Sequence, residues 1–80
     1  MQIAVRLYAT LRKYAPSGAV PAGSFDMELP EGSCVRDLLA ALGLTTEEAK
    51  LVFVRSRRQD EAYVLTGGDE AAIFPPIGGG

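Results

Sequence analysis

Histidine is absent from this 80-residue sequence and cysteine occurs once. Without histidine, most metal sites, most catalytic triads and the commonest general acid–base group are excluded. Cys34 alone cannot close an internal disulfide, and a four-ligand zinc site would need partners the chain lacks. A small core without staples fits a reducing, cytoplasmic setting. No apolar stretch approaches the ~20 residues of a membrane span. The opening Met-Gln-Ile-Ala-Val-Arg does not read as a signal peptide. Eight basic against ten acidic residues give a net charge of -2, which argues against nucleic-acid binding. The expectation is no bound cofactor, no metal, no nucleic acid and no membrane.

What remains is a chain for one small domain, with a hydrophobic fraction of 48% but 9 glycines and 5 prolines. Gln2 to Tyr8 alternates, with Ile3, Val5 and Leu7 on one face and Ala4, Arg6 and Tyr8 on the other, which is the period of a strand. Thr10 is placed to cap a short helical turn over Leu11 to Tyr14. Two Pro/Gly clusters then mark a loop, in which Gly18 and Gly23 loosen the chain. Ser24 to Leu29 alternates again. Pro30-Glu31-Gly32 is a turn, and Ser33 fits the N-cap of a helix carried by Val35, Leu38, Leu39 and Leu42, with Asp37 at its positive end and Gly43 at its C-cap.

Thr46-Glu47-Glu48-Ala49 starts a second, one-turn helix. Leu51 to Val54 is a short strand, apolar throughout, so its facing is open. Arg55 to Glu61 contains a turn and a short edge strand. Gly67-Gly68-Asp69 turns into a last strand, Glu70 to Phe74, with Ala71 and Ile73 inward and Ala72 and Phe74 outward. This order predicts an α+β fold of the β-grasp type: a mixed sheet of four to five strands with one main helix across one face. Pairing the first and last strands at the centre puts Tyr8 and Phe74 on the uncovered face, where they are candidates for a partner surface. Cys34 at the helix start reads as a small half-buried residue rather than a relay thiol. Asp69 and Glu70 point to opposite faces and read as turn and surface residues.

The tail divides from the domain at Phe74, giving residues 1–74 and 75–80. Pro75 and Pro76 end the ladder and stiffen the exit. Beyond them stand Ile77, Gly78, Gly79 and Gly80, and the six tail residues reach about 20 Å at ~3.3 Å each. Glycines can thread a channel that any Cβ would block. What they deliver is the carboxylate of Gly80, which joining to AMP would turn from a poor electrophile into a good one. In such chemistry the protein is the substrate and the enzyme lies elsewhere.

These residues resemble the MoaD/ThiS family of ubiquitin-like sulfur carriers over nearly the whole chain. The markers are Val5-Arg6-Leu7-Tyr8-Ala9, Pro30-Glu31-Gly32-Ser33, Val52-Phe53-Val54, Gly68-Asp69-Glu70 and the ending Ile73-Phe74-Pro75-Pro76-Ile77 with its glycines. The resemblance implies that Gly80 is adenylated by an adenylyltransferase like ubiquitin-activating enzymes, which consumes ATP, and that a sulfur donor protein or sulfide then makes it a thiocarboxylate. Gly78 and Gly79 would thread the partner channel. Tyr8, Phe74, Pro75, Pro76 and Ile77 would meet partners, among them the large subunit of a molybdopterin synthase. The length and the Phe-Pro-Pro ending favour molybdopterin synthesis. A carrier for thiamin, tungsten cofactor or amino-acid sulfur, a modifier joined to lysines through Gly80, and a passive interaction domain are the alternatives. The sequence departs from the family at Arg55-Ser56-Arg57-Arg58, where Asn-Gly is usual, so a different turn or a longer loop is expected there. The three arginines read as a solvated turn, or else as a contact for acidic partners or a phosphate.

Overall fold

The computed structural model describes residues 1–18 and 21–76. The alternation at the start becomes strand β1, Gln2–Leu7, and its inward residues Ile3, Val5 and Leu7 are 0%, 1% and 2% exposed. Burying each such side chain contributes about 1.5–3 kcal/mol. Strands β2 (Ser24–Glu28), β3 (Leu51–Val54), β4 (Arg57–Gln59) and β5 (Glu70–Phe74) complete one mixed sheet in the order β2-β1-β5-β3-β4. β1 and β5 run parallel at its centre, with Val5 beside Ala71 and Leu7 beside Ile73, and the other neighbours are antiparallel. Helix α1, Val35–Leu42, buries Val35, Leu38 and Leu39 in the same core as the inward face of the sheet. This is the α+β, β-grasp arrangement expected from the strand and helix order.

Several local expectations are corrected. The turn after β1 is a 3-10 helix, Ala9–Tyr14, that begins from Tyr8 without a side-chain cap, so Thr10 is not its N-cap. The helix α1 starts from Cys34, not Ser33. Ser33 is buried, its hydroxyl donates to the Pro30 carbonyl at 2.7 Å, and its own carbonyl accepts the Leu65 N–H. Those bonds commit Ser33 to the preceding turn. Gly43 is the C-cap as expected: it is left-handed at φ 79°, its N–H donates to the Ala40 carbonyl, and the Leu44 N–H donates to the Leu39 carbonyl. That bond pair is a Schellman close, and it returns Leu44 to the core.

Thr45, not Thr46, opens the segment after α1, through a reciprocal capping box with Glu48. The segment stays a single turn rather than becoming a helix. Gly23 is also not loose. It is buried at φ +85°, and a Cβ there would stand 2.5 Å from the Leu7 carbonyl oxygen. The Leu7 N–H donates to the Gly23 carbonyl at 2.8 Å, so Gly23 docks the entry of β2 on the end of β1.

The departure at Arg55-Ser56 does not lengthen the loop. Val54 pairs with Arg57, leaving a two-residue hairpin in which Arg55 and Ser56 sit at φ 54° and 67°. Positive φ at both central residues is the mark of a type I′ turn. Two ties hold it without glycine: the Arg55 N–H donates to the Glu70 carbonyl, and the Arg55 guanidinium meets the Asp69 carboxylate at 2.6 Å. Asp69 is therefore not a surface residue. It is 1% exposed, and its second oxygen accepts the Thr66 N–H at 2.8 Å.

Candidate functional site

Strand β5 lies between β1 and β3, so its exit is fixed from both sides. The alternation that buries Ala71 and Ile73 turns Ala72 and Phe74 to the opposite face, where both are half-buried. The pairing of β1 with β5 continues one residue past β1, because the Tyr8 N–H donates to the Ile73 carbonyl at 3.1 Å. The chain then turns at Ala9, with φ 53°. Tyr8 is thereby laid flat on Phe74, with ring centroids 4.4 Å apart and planes 7° apart. The two aromatics expected on the uncovered face do meet there.

A third ring joins them. Phe53 stands edge-on to Phe74, with centroids 5.7 Å apart and planes at 81°. Sequence reasoning missed it because Leu51–Val54 is apolar at every position. The usable signal was the pairing itself: with Val52 and Val54 buried, Phe53 must face outward beside Ala72. Offset and edge-on aromatic pairs contribute about 0.5–1.5 kcal/mol each beyond burial. The three rings thus form one semi-rigid apolar surface where the tail leaves. Around it the sheet face carries Arg6, paired with Glu70 at 3.2 Å, and Arg58, which lies opposite Phe53 on β4. Arg6 and Glu70 are both half exposed, so their pair contributes little to stability.

Pro75 is half-buried and Pro76 exposed beyond the last ring. The roles expected of Ile77, Gly78, Gly79 and Gly80 fall outside the described residues. Beside the exit, the Tyr14 hydroxyl donates to the Glu48 carboxylate at 2.9 Å, tying the 3-10 helix to the turn after α1. The Thr45 N–H and the Tyr14 hydroxyl hold the Glu48 carboxyl below its ordinary range, and the same bond raises the Tyr14 hydroxyl. Cys34 is half-buried at the start of α1, and its thiol donates to the Asp37 carboxylate at 3.3 Å. Among the described residues no cluster of acidic and cysteine side chains is positioned to hold a metal ion, and no helix is long and apolar enough to cross a membrane.

A five-stranded sheet crossed by one helix, with a bare aromatic face at the root of a central C-terminal strand, is the architecture of ubiquitin-like carrier proteins. The chain belongs to the ThiS family, whose model matches residues 5–80. Proteins of this family are ubiquitin-like sulfur carriers that serve other enzymes as co-substrates and do not themselves catalyse. Among solved structures, the chain is similar to the HVO 2177 protein of Haloferax volcanii at 25% identity and a TM-score of 0.76, covering 100% of this chain and 87% of that one. It is similar to small archaeal modifier protein 1 of H. volcanii at 19% identity and a TM-score of 0.71, covering 95% and 98%. One chain of a complex of subunits 1 and 2 of the molybdopterin-converting factor from Helicobacter pylori matches at 17% identity and a TM-score of 0.61, covering 100% of this chain and 100% of that one. No curated protein matches the chain by sequence.

Proposed function

We propose that this protein carries sulfur for molybdopterin synthesis, on a tail of residues 75–80 presented by a domain of residues 1–74. Gly80 is the working residue. Its carboxylate attacks the α-phosphate of ATP in an adenylyltransferase of the ubiquitin-activating kind, and pyrophosphate leaves. Sulfide, free or released from a donor protein's persulfide by a thiol reductant, then displaces AMP and leaves a thiocarboxylate, which gives its sulfur to a pterin precursor held by a large subunit. Gly78 and Gly79 pass through the narrow channel of each partner because they present no Cβ. Tyr8, Phe74, Pro75, Pro76 and Ile77 form the docking surface, and Phe53 joins them.

The observation that carries this reading is the Phe53–Phe74–Tyr8 cluster on the uncovered face at the exit of the central strand. An apolar surface there brings a partner to the root of the tail. The placement of a homologous-fold chain as one subunit of a molybdopterin-converting factor in H. pylori supports the choice of pathway. The test is incubation with the cognate activating enzyme, ATP and a sulfur donor, followed by intact mass and then by transfer to a pterin precursor on the large subunit. A mass gain of one oxygen-for-sulfur exchange, lost on deleting Gly80, and formation of the dithiolene product are expected. Thiocarboxylate without transfer to the pterin would assign the carrier to thiamin or another sulfur acceptor. High-mass conjugates dependent on Gly80 would make it a modifier of lysines.

A further inference from the structure

Strand β4 is the last of the sheet, and it borders a cleft of about 380 Å³ on the helix side. Val35 and Leu39 of α1 meet Ala49 and Val52 at this cleft, and all four are buried, so its floor is the margin of the core. Lys50, Asp60 and Glu61 also line it. The two acids are already committed. Glu61 pairs with Arg36 at 3.0 Å, and the Asp60 carboxylate accepts the Ala62 N–H at 2.8 Å. Lys50 and Arg58 pair with no carboxylate among the described residues. The chain carries a net charge of -2, yet the charge left unbalanced at this edge is positive. The backbone of the edge is open as well. The Arg55 N–H donates to the Glu70 carbonyl on β5. Backbone groups alternate in direction along an antiparallel strand, so Val54 and Val52 turn theirs to β4, where Arg57 and Gln59 meet them. Arg58, between those two, turns its N–H and carbonyl outward beside the cleft.

We propose that this edge takes an extended, acidic segment of a partner protein as an added strand. One face of that strand sets aliphatic side chains into the cleft, near Lys50. The other sets carboxylates beside the Arg58 side chain, which shares the uncovered face with Phe53. Charge selects the occupant. A second copy joined through its own β4 would bring arginine against arginine, which is how exposed edges are commonly kept from self-pairing. The chain's own acidic strand, β2, is no substitute, because Phe25 and Met27 already pack on its core. Strand β3 separates β4 from β5, so the site stands apart from the sulfur reading.

The probe is a blocked peptide of alternating glutamate and valine, titrated into the isotope-labelled full chain. Amide shifts are expected at Leu39, Lys50 and Arg58, with Tyr8 and Phe74 unmoved. Arg58→Ala should weaken binding about fivefold by removing the charge. Arg58→Pro, which an outward-facing edge position accommodates, should weaken it about fivefold more by removing the donor as well. The same peptide methylated on its backbone nitrogens should not bind the parent, a result that does not rely on a variant folding. Shifts centred on Tyr8 and Phe74, equal binding of the methylated peptide or of a lysine–valine peptide, or no shifts at millimolar peptide would overturn the site. So would self-association of the parent that is lost in Asp26→Lys, because it would place β2 of a second copy on this edge.

Discussion

At the scale of single residues, the clearest dependence is on Asp69. Its carboxylate, 1% exposed, closes the turn before β5 through the Thr66 N–H and holds the β3–β4 hairpin through Arg55. Replacing it by alanine takes the acceptor from the part-buried Thr66 N–H bond and frees the strained hairpin turn from its ion pair. A loss of about 2–3 kcal/mol is expected, read as a lower urea midpoint at unchanged slope, and a loss under a few tenths would show that Asp69 is not the lock. The two hairpin residues at positive φ then separate the ion pair from the strain. Ser56→Gly removes only strain, since its side chain has no hydrogen-bond partner among the described residues, and should stabilise by about 0.5 kcal/mol after the unfolded-state cost of glycine. Arg55→Gly relieves the same strain but gives up the 2.6 Å contact to Asp69, and should come out no more stable than the parent. If both glycine variants stabilise equally, the Arg55–Asp69 pair holds nothing. The hairpin shows why Asp69 escaped the sequence: turn-forming aspartates are usually solvated, and only the return of a distant hairpin onto it makes this one buried.

At the scale of elements, strand alternation and helix spacing were legible because both follow from local chain geometry. Ile3, Val5, Leu7, Leu38 and Leu39 went where their periods put them. Caps were less legible, because neighbouring residues compete for them. Ser33 is a better intrinsic N-cap than Cys34, yet the Pro30 carbonyl takes its hydroxyl and the helix begins one residue later. The work of the cap passes to Asp37, whose carboxylate accepts the Cys34 N–H at 2.9 Å. That backbone bond, then the Cys34 thiol, lowers the Asp37 carboxyl below its ordinary value. Glu48 is lowered in the same sense, first by the Thr45 N–H and then by Tyr14. An acid depressed in the folded state adds stability that is fully present above its unfolded-state value, about 4 for these groups, and is lost as pH falls through the folded-state value. The urea midpoint should therefore hold from neutral pH to about pH 5 and decline below about pH 4. In Asp37→Asn that acid decline should be shallower, with a lower midpoint at neutral pH, and an acid limb superimposable on the parent's would remove Asp37 from the account.

At the scale of the whole molecule, the sequence made the β-grasp and two of the three rings legible. The third ring required knowledge of the sheet order, because only the β3–β5 pairing decides which face of an all-apolar strand is outward. Phe53 gives the site its rigidity, for it braces Phe74 from the edge while Tyr8 covers it from the other side. Flat apolar surfaces concentrate binding energy in a few aromatic anchors, and truncating one commonly costs 2 kcal/mol or more, about 30-fold in affinity. Phe53→Ala should therefore weaken binding to the proposed activating enzyme or large subunit at least tenfold, although Phe53 lies on β3, far from the tail in sequence, and meets Phe74 edge-on. Because Phe53 is half-buried, the fold should survive, with an unchanged far-ultraviolet dichroism spectrum and a cooperative melt. Arg57→Ala, at an exposed position on the same hairpin, should bind within about twofold of the parent, as rim charges usually do. Titration calorimetry of the parent, Phe53→Ala, Phe74→Ala and Arg57→Ala against one partner decides the matter. Loss in Phe74→Ala with parental affinity in Phe53→Ala would mean that the rings act singly, and that the edge-on contact serves the sheet rather than the site.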